Sequence, residues 1–416
     1  MKYFDSVQFL YTLGNEMRGA KLGLDRIEVI LDALSHPHHH SRIVHVAGTN
    51  GKGSTCAMIA SGLQAAGLRT GLYTSPHLKE PTERIQIDGA PVTKSEFSEA
   101  FDAVHAVADR LLDQNQIDIH PSYFETVTLM AFLIFKDKKV DCTVYEVGLG
   151  GRLDATNVVT PELSVITAID YDHEQFLGSS IESIATEKAG ILKRGVHAVT
   201  SAQRPDAMKV LEARAAVLGA DLYKASSYEP ENIVWREDGC SYEVDGLSIN
   251  CPLAGPFQLE NSLTAIAALR KLKVPGAAIE AGISSAKWPG RLEQVSTSPR
   301  IIIDGAHNIA GARALAAYIE RFFSNKRVGI IFGAMRDKSI DDLANTLFPL
   351  AHQLILTAPR MPRALRPEAV AEFATNENVV VCPNLAQAIE KIQDVDVTFI
   401  TGSLYLVGEA RSLLVQ

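Results

Sequence analysis

Strand-like apolar runs alternate with helical patterns along most of this chain, and that alternation restricts the fold more than any other feature. In the first half the runs are "RIVHVAG" (42–48), "RTGLYT" (69–74), "CTVYEVG" (142–148) and "LSVITAI" (163–169). Helical patterns cover 54–66, 94–112 and 125–135 between them. Such a chain is an α/β protein with a mainly parallel sheet covered by helices, and its functional loops belong at the carboxyl ends of the strands. The stretch 232–251 alternates with period two around Asp-Gly turns and reads as a small antiparallel insert. A second series begins after Trp288, Pro289 and Gly290: "RIIIDGA", "RVGIIFGA", "QLILTA", "NVVVC" and "DVTFITGS", with helices near 309–323, 340–350 and 367–374. Two domains are expected, 1–288 and 289–416. No GxGxxG follows the first strand of the second, so a dinucleotide site has little support there.

The first strand ends in "GTNGKGS", 48–54, and a helix follows. Free backbone N–H groups and the positive end of a helix dipole make such a turn an anion site, with a nucleoside triphosphate the first expectation. The spelling departs from GxxxxGK followed by Ser or Thr: Val46 stands at the first glycine, and Gly53 follows the lysine. The physical parts remain, since Gly48, Gly51 and Gly53 allow close backbone approach, Lys52 carries a charge, and Ser54 or Thr55 offers a hydroxyl. A tight turn with an exposed lysine is the competing reading. Further clusters follow at strand ends: "TSPHL", "EVGLGGRLDATN" and "DYDHEQFLG", and "ATEKAGIL" is expected to open a helix. Ser75, Glu146 and His173 could share magnesium ions with a bound triphosphate. Taken singly, such a Glu is as well explained as a helix cap or ion-pair partner, and such a His as a satisfied core residue.

A net charge of −9 argues against nucleic acid as a partner. No apolar run approaches the roughly eighteen residues of a membrane span, and the N-terminus has no signal-peptide profile, so a cytoplasmic protein with no membrane association is expected. The five cysteines are scattered, without a CxxC pair, which fits reduced core thiols. The tract "HPHHH", 36–40, reads as a solvated loop without a role.

Taken together, "HVAGTNGKGST", "YTSPHL", "SYFE", "EVGLGGRLDATN", "DHEQFLG", "EKAGI", "PGRLE", "DGAHN", "DKSI", "PRA" and "GSLYLVGEAR" resemble, in order and separation, the folylpolyglutamate synthase and dihydrofolate synthase family of the Mur ligase superfamily. The resemblance runs from Leu22 to the last helix. It implies an N-terminal P-loop ATPase domain and a C-terminal Rossmann-like α/β domain. It assigns ATP to Thr49, Asn50, Gly51, Lys52, Gly53 and Ser54, with further nucleotide contacts from Asn261, Arg291 and Asp304. One magnesium falls to Ser75 and Glu146, and a second to His173 with a carbamoylated Lys188. Gly23, Leu24, Asp25, Ser122, Tyr123, Phe124, Glu125 and Asp154 match the pterin side, and His307 and Ser403 the incoming glutamate.

The implied enzyme is a monomer that joins L-glutamate to dihydropteroate, to tetrahydrofolate-type folates, or to both, through an acyl phosphate. Lys52 and Lys188 would act in phosphoryl transfer, and His307 in positioning or deprotonating the amine. Where the family commonly shows Leu, Pro and an acidic residue, this chain has Tyr171, Ile309 and Ser339. A bifunctional enzyme is expected, with folylpolyglutamate synthesis alone the alternative. A peptidoglycan-type Mur ligase and a nucleotide-binding switch are the competing classes.

Overall fold

A computed structural model describes residues 1–14, 23–336 and 340–415. The chain forms two compact units: Met1–Glu231, Glu243–Ile249 and Glu260–Ala286 in the first, and Asn232–Tyr242, Asn250–Leu259 and Lys287–Gln416 in the second.

The first unit contains α1 (Tyr3–Thr12), α2 (Asp25–Ala33), β1 (Arg42–Ala47), α3 (Lys52–Ala65), β2 (Thr70–Tyr73), β3 (Ile85–Ile87), β4 (Ala90–Pro91), α4 (Lys94–Asp113) and α5 (Tyr123–Asp137). It continues through β5 (Cys142–Glu146), β6 (Leu163–Ile166), α6 (Glu174–Leu177), α7 (Ile181–Lys188), β7 (His197–Thr200), α8 (Pro205–Leu218) and β8 (Leu222–Lys224). The sheet order is β4-β3-β2-β5-β1-β6-β7-β8, parallel from β2 to β8 and antiparallel at the β3 and β4 edge. Strands β2, β5 and β6 are buried along their whole length, and β1 beyond its first residue, as continuous apolar runs require in a sheet covered on both faces. One core packs α1, α2, α4 and α5 against the sheet, and another packs α7 and α8.

Three-residue signals set several helix starts. Thr93 with Glu96 and Ser122 with Glu125 form reciprocal capping boxes, which place the α5 start at Tyr123, two residues before the apolar periodicity begins. "ATEKAGIL" was expected to open a helix, and instead it closes one. Ser180 and Ser183 cap α7 eight residues upstream, so Lys188 is the last residue of that helix rather than part of a first turn. The histidine tract is solvated only in part: His36, His39 and His40 are exposed, but Pro37–His39 is a 3-10 turn and the His38 ring is buried against Phe132.

β9 (Glu231–Arg236), β10 (Gly239–Val244) and β11 (Leu247–Cys251) form a three-stranded sheet in consecutive order. Two-residue connections between neighbours permit only hairpins, and Asp245 and Gly246 both take the positive φ that such a turn needs. α9 (Phe257–Lys271) and α10 (Gly276–Ser285) return to the first unit. There α10 lies so close to α3 that a Cβ on Gly282 would stand 2.3 Å from the Gly62 Cα.

The second unit holds β12 (Glu293–Thr297), β13 (Arg300–Ile303), α11 (Ile309–Phe323), β14 (Val328–Phe332), α12 (Ile340–Leu347), β15 (Gln353–Leu356), α13 (Pro367–Ala371), β16 (Val379–Val381), α14 (Leu385–Glu390), β17 (Val397–Thr401) and α15 (Leu404–Leu414). The order β12-β13-β17-β14-β15-β16 is parallel except for β12. Leu22 and residues 337–339, which include most of "DKSI" and Ser339, lie outside the described residues. No helix among the described residues is long and apolar enough to cross a membrane.

Candidate active site

Register alone gathers the first unit's strand-end clusters. Val46 pairs with Glu146, Ala47 with Ile166, and Tyr73 with Tyr145, so β1, β5, β6 and β2 end level and their following loops emerge along one edge. The 48–54 turn leaves the middle of that edge.

Gly51 takes φ 84° as the residue before α3, and a Cβ there would lie 2.2 Å from Asn261 Oδ1. The turn therefore needs glycine twice over, for its backbone and for the approach of Asn261. The Thr49 and Asn50 N–H groups donate to the Ala168 carbonyl, and the Thr49 hydroxyl donates to the Asp170 carbonyl. These bonds anchor the turn to the loop after β6. Lys52 Nζ donates to the Gly48 and Thr49 carbonyls at 3.1 Å each. Gly53 and Ser54 lie in the first turn of α3, with Ser54 buried.

Lys188 reaches the same turn from α7. Its Nζ donates to the Gly48 carbonyl at 2.8 Å, and the residue is 4 % exposed. Burial lowers its pKa to about 7, helped by the neighbouring Lys52 ammonium and opposed by Asp172 and Asp154. Glu146, at the end of β5, is buried and accepts the Ser75 N–H on Oε2 at 3.0 Å. His173 precedes α6 in a left-handed conformation, with its Nε2 3.8 Å from Asp172. Lys52, Lys188, Ser75, Glu146, Asp172 and His173 thus line one strand edge of the first unit. No local pattern marks Asp172 as a neighbour of Lys188; the fold brings its carboxylate near enough to raise the Lys188 pKa against burial.

The residues matched to the pterin side divide into scaffold and surface. Glu125 is buried, accepts two bonds from Arg26 (3.1 and 2.7 Å), and accepts the Ser122 N–H at 2.8 Å. Asp154 is buried too, and burial raises its pKa. It accepts the Gly148, Leu149 and Thr156 N–H groups, so its carboxylate organises the "GLGGRLD" loop. Tyr123 is a core residue stacked on Tyr11, with the Arg84 guanidinium 5.0 Å over its ring. Phe124 covers Gly148, where a Cβ would stand 2.5 Å from its ring. Gly23, Leu24 and Asp25 form the entry to α2, with Asp25 exposed. Arg26, Arg84 and His77 escaped the sequence reading. Arg84 Nε donates to His77 Nδ1, and burial with that cation lowers the His77 pKa to about 3.

In the second unit Asp304, Ala306 and His307 follow β13, and Ser403 follows β17. The strands pair at Ile303 and Ile400, and the Gly402 N–H donates to the Ala306 carbonyl. Buried Asp304 accepts the Leu292 and Ala306 N–H groups, and burial raises its pKa against the opposing Arg291. His307 Nδ1 donates to the Gly305 carbonyl at 2.7 Å. Ser403 caps α15 through the Tyr405 N–H.

Two family models match this chain, the Mur ligase middle domain over residues 46–269 and the Mur ligase, glutamate ligase domain over 290–404. The dihydrofolate synthase/folylpolyglutamate synthase of Bacillus subtilis is 35% identical over 413 residues, covering 95% of this chain and 96% of its own. The folylpolyglutamate synthase of Lacticaseibacillus casei is 36% identical over 431 residues, covering 100% and 99%. Among solved structures, Mycobacterium tuberculosis folylpolyglutamate synthase complexed with ADP superposes with a TM-score of 0.92 at 33% identity, covering 100% of this chain and 99% of its own. E. coli FolC in complex with DHPP and ADP gives 0.86 at 32%, covering 98% and 97%.

Proposed function

Since the chain belongs to the dihydrofolate synthase/folylpolyglutamate synthase family of Mur ligases and is an ATP-dependent glutamate ligase, we propose that it joins L-glutamate both to dihydropteroate and to reduced folates. The observation that carries the chemistry is the convergence of Lys52 and Lys188 on the Gly48 carbonyl, at a strand edge where Glu146 stands in register with Val46.

A carboxylate is a poor acyl donor. One of its oxygens attacks the γ-phosphorus of ATP, the bond to the departing ADP breaks, and an acyl phosphate results. Lys52 stands on the turn where phosphates are expected and offsets the negative charge of the group in transfer. The glutamate amine then adds to the acyl carbonyl, gives up a proton, and inorganic phosphate leaves. His307, with Nδ1 held by the Gly305 carbonyl, is the candidate to position the amine or take that proton. Arg291 and Asp304 are assigned to the nucleotide on the family pattern.

The donor set fits magnesium, a hard cation that takes oxygen ligands: Glu146 is a buried carboxylate beside the Ser75 backbone, and a carbamate on Lys188 would add further oxygens near Asp172, the residue before His173. Bound there, magnesium neutralises phosphate charge. The carbamate is itself part of the proposal. A neutral amine is needed to combine with carbon dioxide, and a pKa of about 7 supplies one near neutrality.

The test offers dihydropteroate and tetrahydrofolate separately, with ATP, magnesium and L-glutamate, and weighs the products. Gain of one glutamyl unit on both is expected. Gain on tetrahydrofolate alone would leave folylpolyglutamate synthesis, the name that the L. casei relative carries. Gain on neither would defeat the substrate assignment.

A further inference from the structure

We propose that His105, Asp109 and His120 form a site for a divalent transition-metal ion of the zinc class, apart from the phosphate-loop edge and independent of the ligase reading. His105 and Asp109 are one turn apart on α4, so they share a face. His120 arrives from the segment before α5. Its Nε2 lies 2.8 Å from Asp109 Oδ1, and His105 Nε2 lies 3.5 Å from Asp109 Oδ2. The three ligand atoms lie within 4.8 Å of one another.

The His120–Asp109 leg is a hydrogen bond at 2.8 Å, and the metal reading rests on the other two legs. Two ligand atoms on one tetrahedral zinc, each about 2.0–2.1 Å from the ion, stand about 3.3 Å apart, and two imidazoles bound through Nε2 place their centroids about 5 Å apart. The His105 and His120 centroids are 5.2 Å apart. The 3.5 Å leg is too long for a good hydrogen bond yet close to the tetrahedral spacing.

The rings are also held before any ion arrives. Phe9 of α1 packs on His105 at 4.6 Å and on His120 at 5.8 Å, and Phe101 stacks on His105 at 5.3 Å. Two imidazole nitrogens and one carboxylate suit zinc, cobalt, nickel or copper rather than magnesium or calcium, and three protein ligands leave a fourth position for water. An ion here would tie the segment before α5, two residues ahead of the Ser122 cap, to α4.

The experiment titrates chelator-treated full-length protein with zinc chloride by calorimetry without nucleotide, and with Co²⁺ as a spectroscopic probe of coordination. Wild type is expected to bind one zinc equivalent, to show four-coordinate Co²⁺ absorption, and to unfold at higher temperature with zinc present. Asp109→Asn, at a residue with a half-exposed side chain, should fold normally and lose about a hundredfold or more in affinity, and His105→Asn should do the same. Glu146→Gln, altered at the other candidate metal position, should retain the equivalent. Zinc binding that is the same in wild type, Asp109→Asn and His105→Asn, or an equivalent lost in Glu146→Gln alone, would overturn the proposal.

Discussion

Burial holds the Lys188 amine at a pKa of about 7, with the Lys52 ammonium pushing the same way. Its ordinary value is 10.5, so between about pH 7 and 10.5 the unfolded chain binds the proton that the folded chain has released. Stability therefore rises with pH across that window. In carbon-dioxide-free buffer, denaturant unfolding should show wild type gaining on Lys188→Met as the pH goes from 7 to 10; parallel curves would mean that the amine is not buried in solution. Lys188→Arg should lose most activity, since a guanidinium stays protonated and cannot form a carbamate. Lys188→Ala should recover part of its loss in added short carboxylic acids, which bring an oxygen donor to the same place, and an active Lys188→Arg enzyme would refute the carbamate. Lys52 sits at a partly exposed turn. Lys52→Ala should keep the fold and lose about 10²–10³ in kcat. Near-normal turnover would sink the phosphate-loop assignment.

The helix behind the turn, α3, keeps its place through small residues as much as through large ones. Gly62 faces Leu269 of α9 and Gly282 of α10, and the two glycines let α3 and α10 approach at backbone distance. A methyl group at Gly282 meets a Cα rather than a yielding side chain, so the helices must part. Gly282→Ala should therefore cost about 1–3 kcal/mol in equilibrium unfolding and raise the KM for ATP, because α3 carries Lys52 and Ser54. A variant as stable as wild type would show that the contact is looser than described. α7 presents the reverse case, since its function lies at its end: the helix delivers Lys188 from its last turn to the Gly48 carbonyl 140 positions away in sequence.

At the scale of the whole molecule, the proposed chemistry demands coupling. An acyl phosphate exposed to water hydrolyses, so the protein must hold phosphoryl transfer until the partners are in place. Release of ADP and phosphate should need ATP, magnesium, L-glutamate and a pteroate acceptor together, which a coupled ADP assay with each component omitted in turn would read. Full ADP release without the acceptor would mark an ATPase instead.

The sequence by itself determined the α/β class, the strand runs, the hairpin turns and the glycine turn at the edge of the first sheet. These rest on short-range physics: hydrophobic period, capping within three residues, and positive φ at Asp245, Gly246 and Gly51. Even there the range was limited, because the caps at Ser122 and Ser180 moved one helix start and turned "EKAGI" from a beginning into an end. Only the tertiary structure decided which polar groups lost their water. Nothing near Lys188 in sequence marks it as buried; Gly48, Lys52 and Asp154 come from other segments, and their arrival sets its charge. The Arg26–Glu125 pair and the His105–Asp109–His120 cluster follow the same rule. Desolvation and metal geometry depend on which distant segments meet, and no local pattern records that meeting.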